Sequence, residues 1–232
     1  MFVFVPDPDA VPSELVWVAR QGGETRIGVP PHNYSCPRLS PDGTKIAVAA
    51  ADGEKDFWVW DIPKKTPFKL TSGPARKISL IWTLDGRWIA YQSKEGSDQE
   101  EIQVRPFPNT DARQTKISSG GGFRPVWTPS DPSDWARSDN RELIYVSQRA
   151  RRGVAVKVPP VPPGAPFAYG TPTMLFDATK YSVGAGCGGY DVSRDGRQFR
   201  MVKSLDADEK RSQSLTVITH WFDVLRAAMK GR

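Results

Sequence analysis

The stretch PRLSPDGTKIAV, Pro37 to Val48, sets a Ser-Pro-Asp-Gly quartet between two short apolar runs. Each residue of the quartet suits a tight reversal. Pro41 presets φ, Asp42 tolerates the bridge conformation and Gly43 takes the left-handed one. The same shape recurs in LIWTLDGRWIAY (Leu80 to Tyr91) and in YDVSRDGRQFRMV (Tyr190 to Val202). A fourth copy opens with RPVWTPSD (Arg124 to Asp131), and its turn is lengthened before RELIYVS (Arg141 to Ser147). Asp42 and Asp85 lie 43 residues apart, and Trp82 and Trp127 lie 45 apart. A period of ~40–45 residues is that of four-stranded propeller blades.

Strands can be counted within one period. In the first full copy Pro37–Ser40 is the inner strand and Lys45–Ala50 the second, followed by Phe57–Trp60 and Pro67–Leu70. The second copy repeats the order with Trp82, Trp88–Gln92, Glu101–Arg105 and Gln114–Ile117. The expected fold is therefore all-β: one propeller domain over 1–232, of about five blade-like units with four-stranded antiparallel blades. The boundaries are a partial blade at 1–30, blades at 34–72, 77–119 and 122–178 (the last with insertions), and a partial blade at 188–220. Leu215–Thr219 is read as the third strand of that final unit. A short C-terminal helix at 221–231 follows, with Phe222, Leu225, Ala228 and Met229 at helical spacing. Two incomplete ends either pair with each other or leave a sheet edge open, which would favour an oligomer.

Composition agrees with such a chain. Its 232 residues are 38% hydrophobic and 25% charged, with 8 Trp and 21 Pro, which suits many short strands and turns. The net charge of +6 is scattered, so it reads as a solvated basic surface and no nucleic-acid partner is expected. Two cysteines, Cys36 and Cys187, set no disulfide framework, and two free thiols are expected. No run approaches the ~20 apolar residues of a membrane span, and Met1–Val5 lacks the basic start and length of a secretory signal. As the chain stands it is expected in the cytoplasm; within a longer, membrane-anchored protein it would be periplasmic or extracellular.

LVWVARQGGETRI, PRLSPDGTKIAVAAADGEKDFWVWDI, GRWIAYQSKEGSDQEEIQVRPFP and YDVSRDGRQFRMVKS resemble the TolB-like, PD40 (WD40-like) β-propellers of bacteria. The closing LTVITHWFDVL resembles the end of propellers fused behind bacterial serine/threonine protein kinases. The resemblance implies a propeller and a protein-binding role. Position 84 is Leu and position 194 is Arg where that family prefers Pro. Kinase motifs are absent from the chain, so kinase activity is not implied for it.

The catalytic signatures are thin. GAGCGG, Gly184 to Gly189, matches G-x-G-x-x-G, but a strand follows it where a dinucleotide site needs a helix. It reads instead as a connection from outer to inner strand. Cys187 with His220 and Asp191 would make a nucleophilic set, yet His220 closes a strand farther out. His32, His220, Cys36 and Cys187 lack metal-ligand spacing. No catalytic residue, metal or cofactor is expected. Arg149, Arg151 and Arg152 in SQRARRG read as a solvated turn, and PPVPPGAPF (Pro159 to Phe167) as a stiff connection before an outer strand at Pro172–Phe176. Trp17, Trp58, Trp60, Trp82, Trp88 and Trp127 are assigned to packing between blades. Trp135, in a polar turn, is the exception and a surface-contact candidate.

The expected role is a non-catalytic recognition module, a sensor or scaffold for a protein or peptide. Four inner-strand starts are read at Cys36-Pro37-Arg38, Ser79-Leu80-Ile81, Arg124-Pro125-Val126 and Gly189-Tyr190-Asp191. Starts of inner strands cluster at one end of the channel, so Arg38, Arg124, Tyr190 and Asp191 are the partner-facing candidates. The rival is the accessory or catalytic propeller of a hydrolase or peptidase; the chain has no Gly-x-Ser-x-Gly elbow.

Overall fold

The computed structural model describes residues 13–50, 56–109, 114–129, 141–162, 164–182, 189–193 and 196–203. Strands and no helix occupy these residues. The expected strand at Leu215–Thr219 and the helix at 221–231 lie outside them.

Three sheets have four strands each, every strand antiparallel to its neighbours and in chain order. Blade I holds β3 (Tyr34–Leu39), β4 (Lys45–Ala50), β5 (Phe57–Asp61) and β6 (Thr66–Lys69). Blade II holds β7 (Lys77–Trp82), β8 (Trp88–Ser93), β9 (Glu101–Pro106) and β10 (Thr115–Lys116). Blade III holds β11 (Gly122–Pro129), β12 (Arg141–Ser147), β13 (Arg152–Val158) and β14 (Thr173–Asp177). Before them β1 (Val16–Val18) pairs with β2 (Glu24–Arg26), and after them β15 (Tyr181–Ser182) and β16 (Tyr190–Val192) both pair with β17 (Phe199–Lys203). Inner strands β3, β7, β11 and β16 touch in that order, which stacks the blades side against side as a β-propeller.

The turn of the opening stretch is built the same way three times. In Ser40–Lys45 the Ser40 N–H donates to the Lys45 carbonyl, the Gly43 N–H to the Ser40 carbonyl, and the Lys45 N–H to Ser40 Oγ, all at 2.8–2.9 Å. Thr83 makes the same three bonds with Gly86 and Trp88, and Ser193 makes them with Gly196 and Gln198. Gly43, Gly86 and Gly196 stand at φ of 72°, 67° and 69°, where a side chain is strained. A hydroxyl at the first position and glycine at the fourth therefore carry the turn. Leu84 can replace Pro41 because the second position contributes none of these bonds. The Asp42 carboxylate accepts from Ser40 Oγ and from Thr44, which holds its pKa down at about 2.

Period-two alternation sends each strand's side chains to opposite faces. On β8, Ile89 and Tyr91 join Ala47, Phe57, Val59, Leu70, Leu80 and Trp82 in a core between blades I and II. Ala90, the next residue over, points the other way into a core with Ile102, Val104, Leu143, Tyr145, Val154 and Val156 between blades II and III. Trp60 and Trp82 are buried and Trp58, Trp88 and Trp127 half-buried, as packing between blades requires. Trp17 is not: it is 42% exposed, because β1 and β2 form a two-stranded sheet whose residues are all exposed.

PPVPPGAPF reaches across to blade II. The Arg87 guanidinium donates to the Val161 carbonyl at 2.7 Å, and the Phe167 ring meets Trp88 edge-on at 5.0 Å. Arg149, Arg151 and Arg152 lie at the β12–β13 reversal. Arg151 and Arg152 are exposed, and the Arg149 N–H is tied to the Gly120 carbonyl.

The last sheet is built around β17. Tyr181 and Ser182 pair with Lys203 and Val202, while Tyr190, Asp191 and Val192 pair with Met201, Arg200 and Phe199. Counted from the turn, Tyr181 and Ser182 occupy the register stations that Tyr34 and Ser35 occupy against Ala50 and Ala49 in blade I. β17 is the shared partner, with β15 and β16 as its two neighbours in the sheet. Of the glycine-rich segment at 184–189 only Gly189 is among the described residues.

Candidate functional site

Each inner strand of the complete blades carries a bulge at the same station. The register slips between Ser35 and Arg38, between Ile78 and Ile81, and between Phe123 and Val126. Cys36, Ser79 and Arg124 stand there at φ of 54°, 57° and 53°. A left-handed non-glycine residue costs roughly 1–2 kcal/mol, and a bulge re-aims the side chains beside it. The triplets taken as strand starts are therefore mid-strand: the strands begin two residues earlier, at Tyr34, Lys77 and Gly122. Sequence pattern alone does not distinguish a bulge from a beginning.

The bulges open onto one cavity of about 680 Å³. Arg38, Arg124, Tyr190 and Asp191 all line it, and so do Ser79 and Arg200, which the sequence reading did not single out. Its apolar wall comes from Ile81, Pro125, Val126, Met201 and Val202.

Backbone groups freed by the bulges bond between blades. The Trp82 indole N–H donates to the Arg38 carbonyl at 3.3 Å. The Arg124 N–H donates to Gln92 Oε1 at 3.1 Å, and the Tyr190 hydroxyl donates to the Arg124 carbonyl at 2.7 Å. Arg124 thereby joins blade II to the last sheet through its main chain. Arg124 as a whole is 8% exposed, and burial draws the guanidinium below its ordinary pKa. Burial pushes the Tyr190 phenol far up, so it stays protonated at neutral pH. Asp191 accepts from Arg200 at 3.1 Å, and both side chains are exposed.

Cys36 is disulfide-bonded, which overturns the expectation of a free thiol there. The chain's other cysteine, Cys187, lies outside the described residues, as do His220 and Trp135. Cysteine count and spacing give no cue to this bond, because two cysteines set no framework. His32 meets Tyr34 edge-on at 5.4 Å. Among the described residues no group of three His, Cys, Asp or Glu side chains is placed to hold a metal ion, and no helix is long and apolar enough to cross a membrane.

No family model matches the chain. A stretch of 104 residues is 26% identical to the uncharacterized peptidase YuxL of Bacillus subtilis (strain 168), covering 42% of this chain and 16% of that protein. TolB from Agrobacterium tumefaciens is similar with a TM-score of 0.53 at 14% identity, over 84% of this chain and 62% of that one. TolB from Acinetobacter baumannii gives 0.52 at 12% identity, over 77% and 40%. The chain spans less than two thirds of each of these relatives. At such identity the likeness concerns architecture, and it agrees with the strands: the chain has the fold of a TolB-like β-propeller.

Proposed function

We propose that this propeller is a non-catalytic recognition module that takes a segment of a protein or peptide partner at the cavity lined by Arg38, Arg124, Tyr190 and Asp191. The observation that carries this reading is convergence: three separate strands, β3, β11 and β16, bring those side chains to one opening. A cavity of this size suits a few side chains of a partner. Affinity capture from the source cell checks it, with the wild-type chain and with an Arg38→Ala/Asp191→Ala variant of unchanged melting temperature. A partner retained by the wild type and lost by the variant is expected; equal capture by both, or none by either, would overturn the reading.

The closing LTVITHWFDVL supports a parent in which such a module serves a kinase-linked receptor as sensor or scaffold. The Cys36 disulfide favours an oxidising compartment over the cytoplasm. Thiol titration of protein isolated from its own cell without reductant is expected to find no reactive thiol. Two thiols per chain would return the module to the cytoplasm.

The similarity to YuxL sustains one rival, the accessory or catalytic propeller of a peptidase. Turnover of peptide or ester substrates that disappears in Cys187→Ala would establish the rival.

A further inference from the structure

Resting on the recognition reading, we infer that the cavity selects an acidic peptide segment, receiving its carboxylates between Arg38, Arg124 and Arg200. Three guanidiniums and one carboxylate, Asp191, line the opening among the described residues. Asp191 is already engaged with Arg200 at 3.1 Å. The Tyr190 hydroxyl is a neutral donor committed to the Arg124 carbonyl, so it adds no negative charge. Among the described residues the lining thus holds more cationic than anionic side chains.

Two features make that charge effective. Ile81, Pro125, Val126 and Met201 form a low-dielectric wall beside it, and apolar walls focus the field of a charged cleft. Arg124 is almost fully buried beside that wall, where an entering carboxylate gains more than it would at an open surface. Guanidiniums also match carboxylates in geometry, with two parallel N–H donors for two oxygens. The three arginines come from β3, β11 and β17, so an extended segment crossing the opening can meet them in turn. A free inorganic anion could use one arginine but not that spacing.

Fluorescence anisotropy provides the test, using the intact chain and two labelled nonapeptides that differ only in having three glutamates or three glutamines, with inorganic phosphate as competitor. The glutamate peptide is expected to bind saturably and at least tenfold more tightly than the glutamine one. Raising salt from 50 to 300 mM should weaken it severalfold. Arg38→Gln and Arg200→Gln, both at exposed positions, should each weaken it several-fold without a change in melting temperature. Equal binding of both peptides would overturn the acidic preference while leaving peptide recognition standing. Binding of neither peptide, with cavity-dependent capture from the cell retained, would overturn it as well. Complete displacement by phosphate at micromolar concentration would assign the cavity to a free anion and overturn the peptide source. Full affinity in both arginine variants would place binding elsewhere.

Discussion

Lys77→Met is expected to destabilise the chain by about 3–5 kcal/mol, the usual loss when one member of a buried ion pair is removed. The Lys77 ammonium is fully buried at the head of β7. It donates to Asp56 at 2.7 Å and to the carbonyls of Gly73 and Ala75 at 3.2 and 2.9 Å. Asp56, beside the start of β5, also accepts from Thr71 Oγ1 and faces Lys69 at 3.1 Å. The pair therefore ties blade I to blade II, and removing Lys77 takes the buried cation from a carboxylate that is 5% exposed and leaves it the partly exposed Lys69. Burial by itself would raise the Asp56 pKa; the bonds from Lys77, Lys69 and Thr71 outweigh it and hold the value below 3.8. A depressed carboxyl contributes stability above its unfolded value and loses that contribution as pH falls below it. Urea denaturation at pH 7 and at pH 3 should show the cost of Lys77→Met shrinking in acid. A cost below about 1 kcal/mol at pH 7 would mean that the pair does not join the blades.

Glu101→Ala should cost roughly 3 kcal/mol by stranding several buried donors. The Glu101 side chain is buried at the head of β9. It accepts from the N–H groups of Gly120 and Gly121 at 3.1 Å each and from Ser118 Oγ. Ser118 Oγ in turn accepts the Ile102 N–H at 2.8 Å, as Thr71 Oγ1 accepts the Phe57 N–H at 2.9 Å. The two blades thus repeat one clamp, an acid and a hydroxyl 15 or 17 residues apart, whose acid reaches toward the next blade. Gly121 stands at φ +89°, and a Cβ there would lie 2.5 Å from Gln148 Cβ, so the chain turning onto Glu101 has no room for a side chain. Glu101→Gln keeps one acceptor oxygen and should lose less than Glu101→Ala. Equal losses in chemical denaturation would show that the carboxylate's acceptor role is not what matters.

These clamps were not legible in the sequence. Asp56 and Glu101 look like ordinary solvated charges, and their partners become neighbours only when the fourth strand returns beside the third. The turn was legible, because Ser40, Asp42 and Gly43 make their bonds within six residues and the same types recur at Thr83 and Gly86. The inner-strand triplets were visible as a repeat, but their nature as bulges was not, since positive φ at Cys36, Ser79 and Arg124 breaks residue preference. Trp17 misled for a related reason. Burial of a strand tryptophan depends on a neighbouring sheet, and its own sequence does not report whether that sheet covers it. Arg200 was missed because its strand sits second from the axis in the repeat, although it lines the cavity beside Asp191.

The central claim is that sheets too small to persist alone are stable because they pack laterally through the two shared cores and the acid clamps. Scanning calorimetry of the wild-type chain tests it most directly. A single transition is predicted, with calorimetric and van't Hoff enthalpies in a ratio near one. Separate transitions for individual blades, or gradual melting with no cooperative peak, would contradict it.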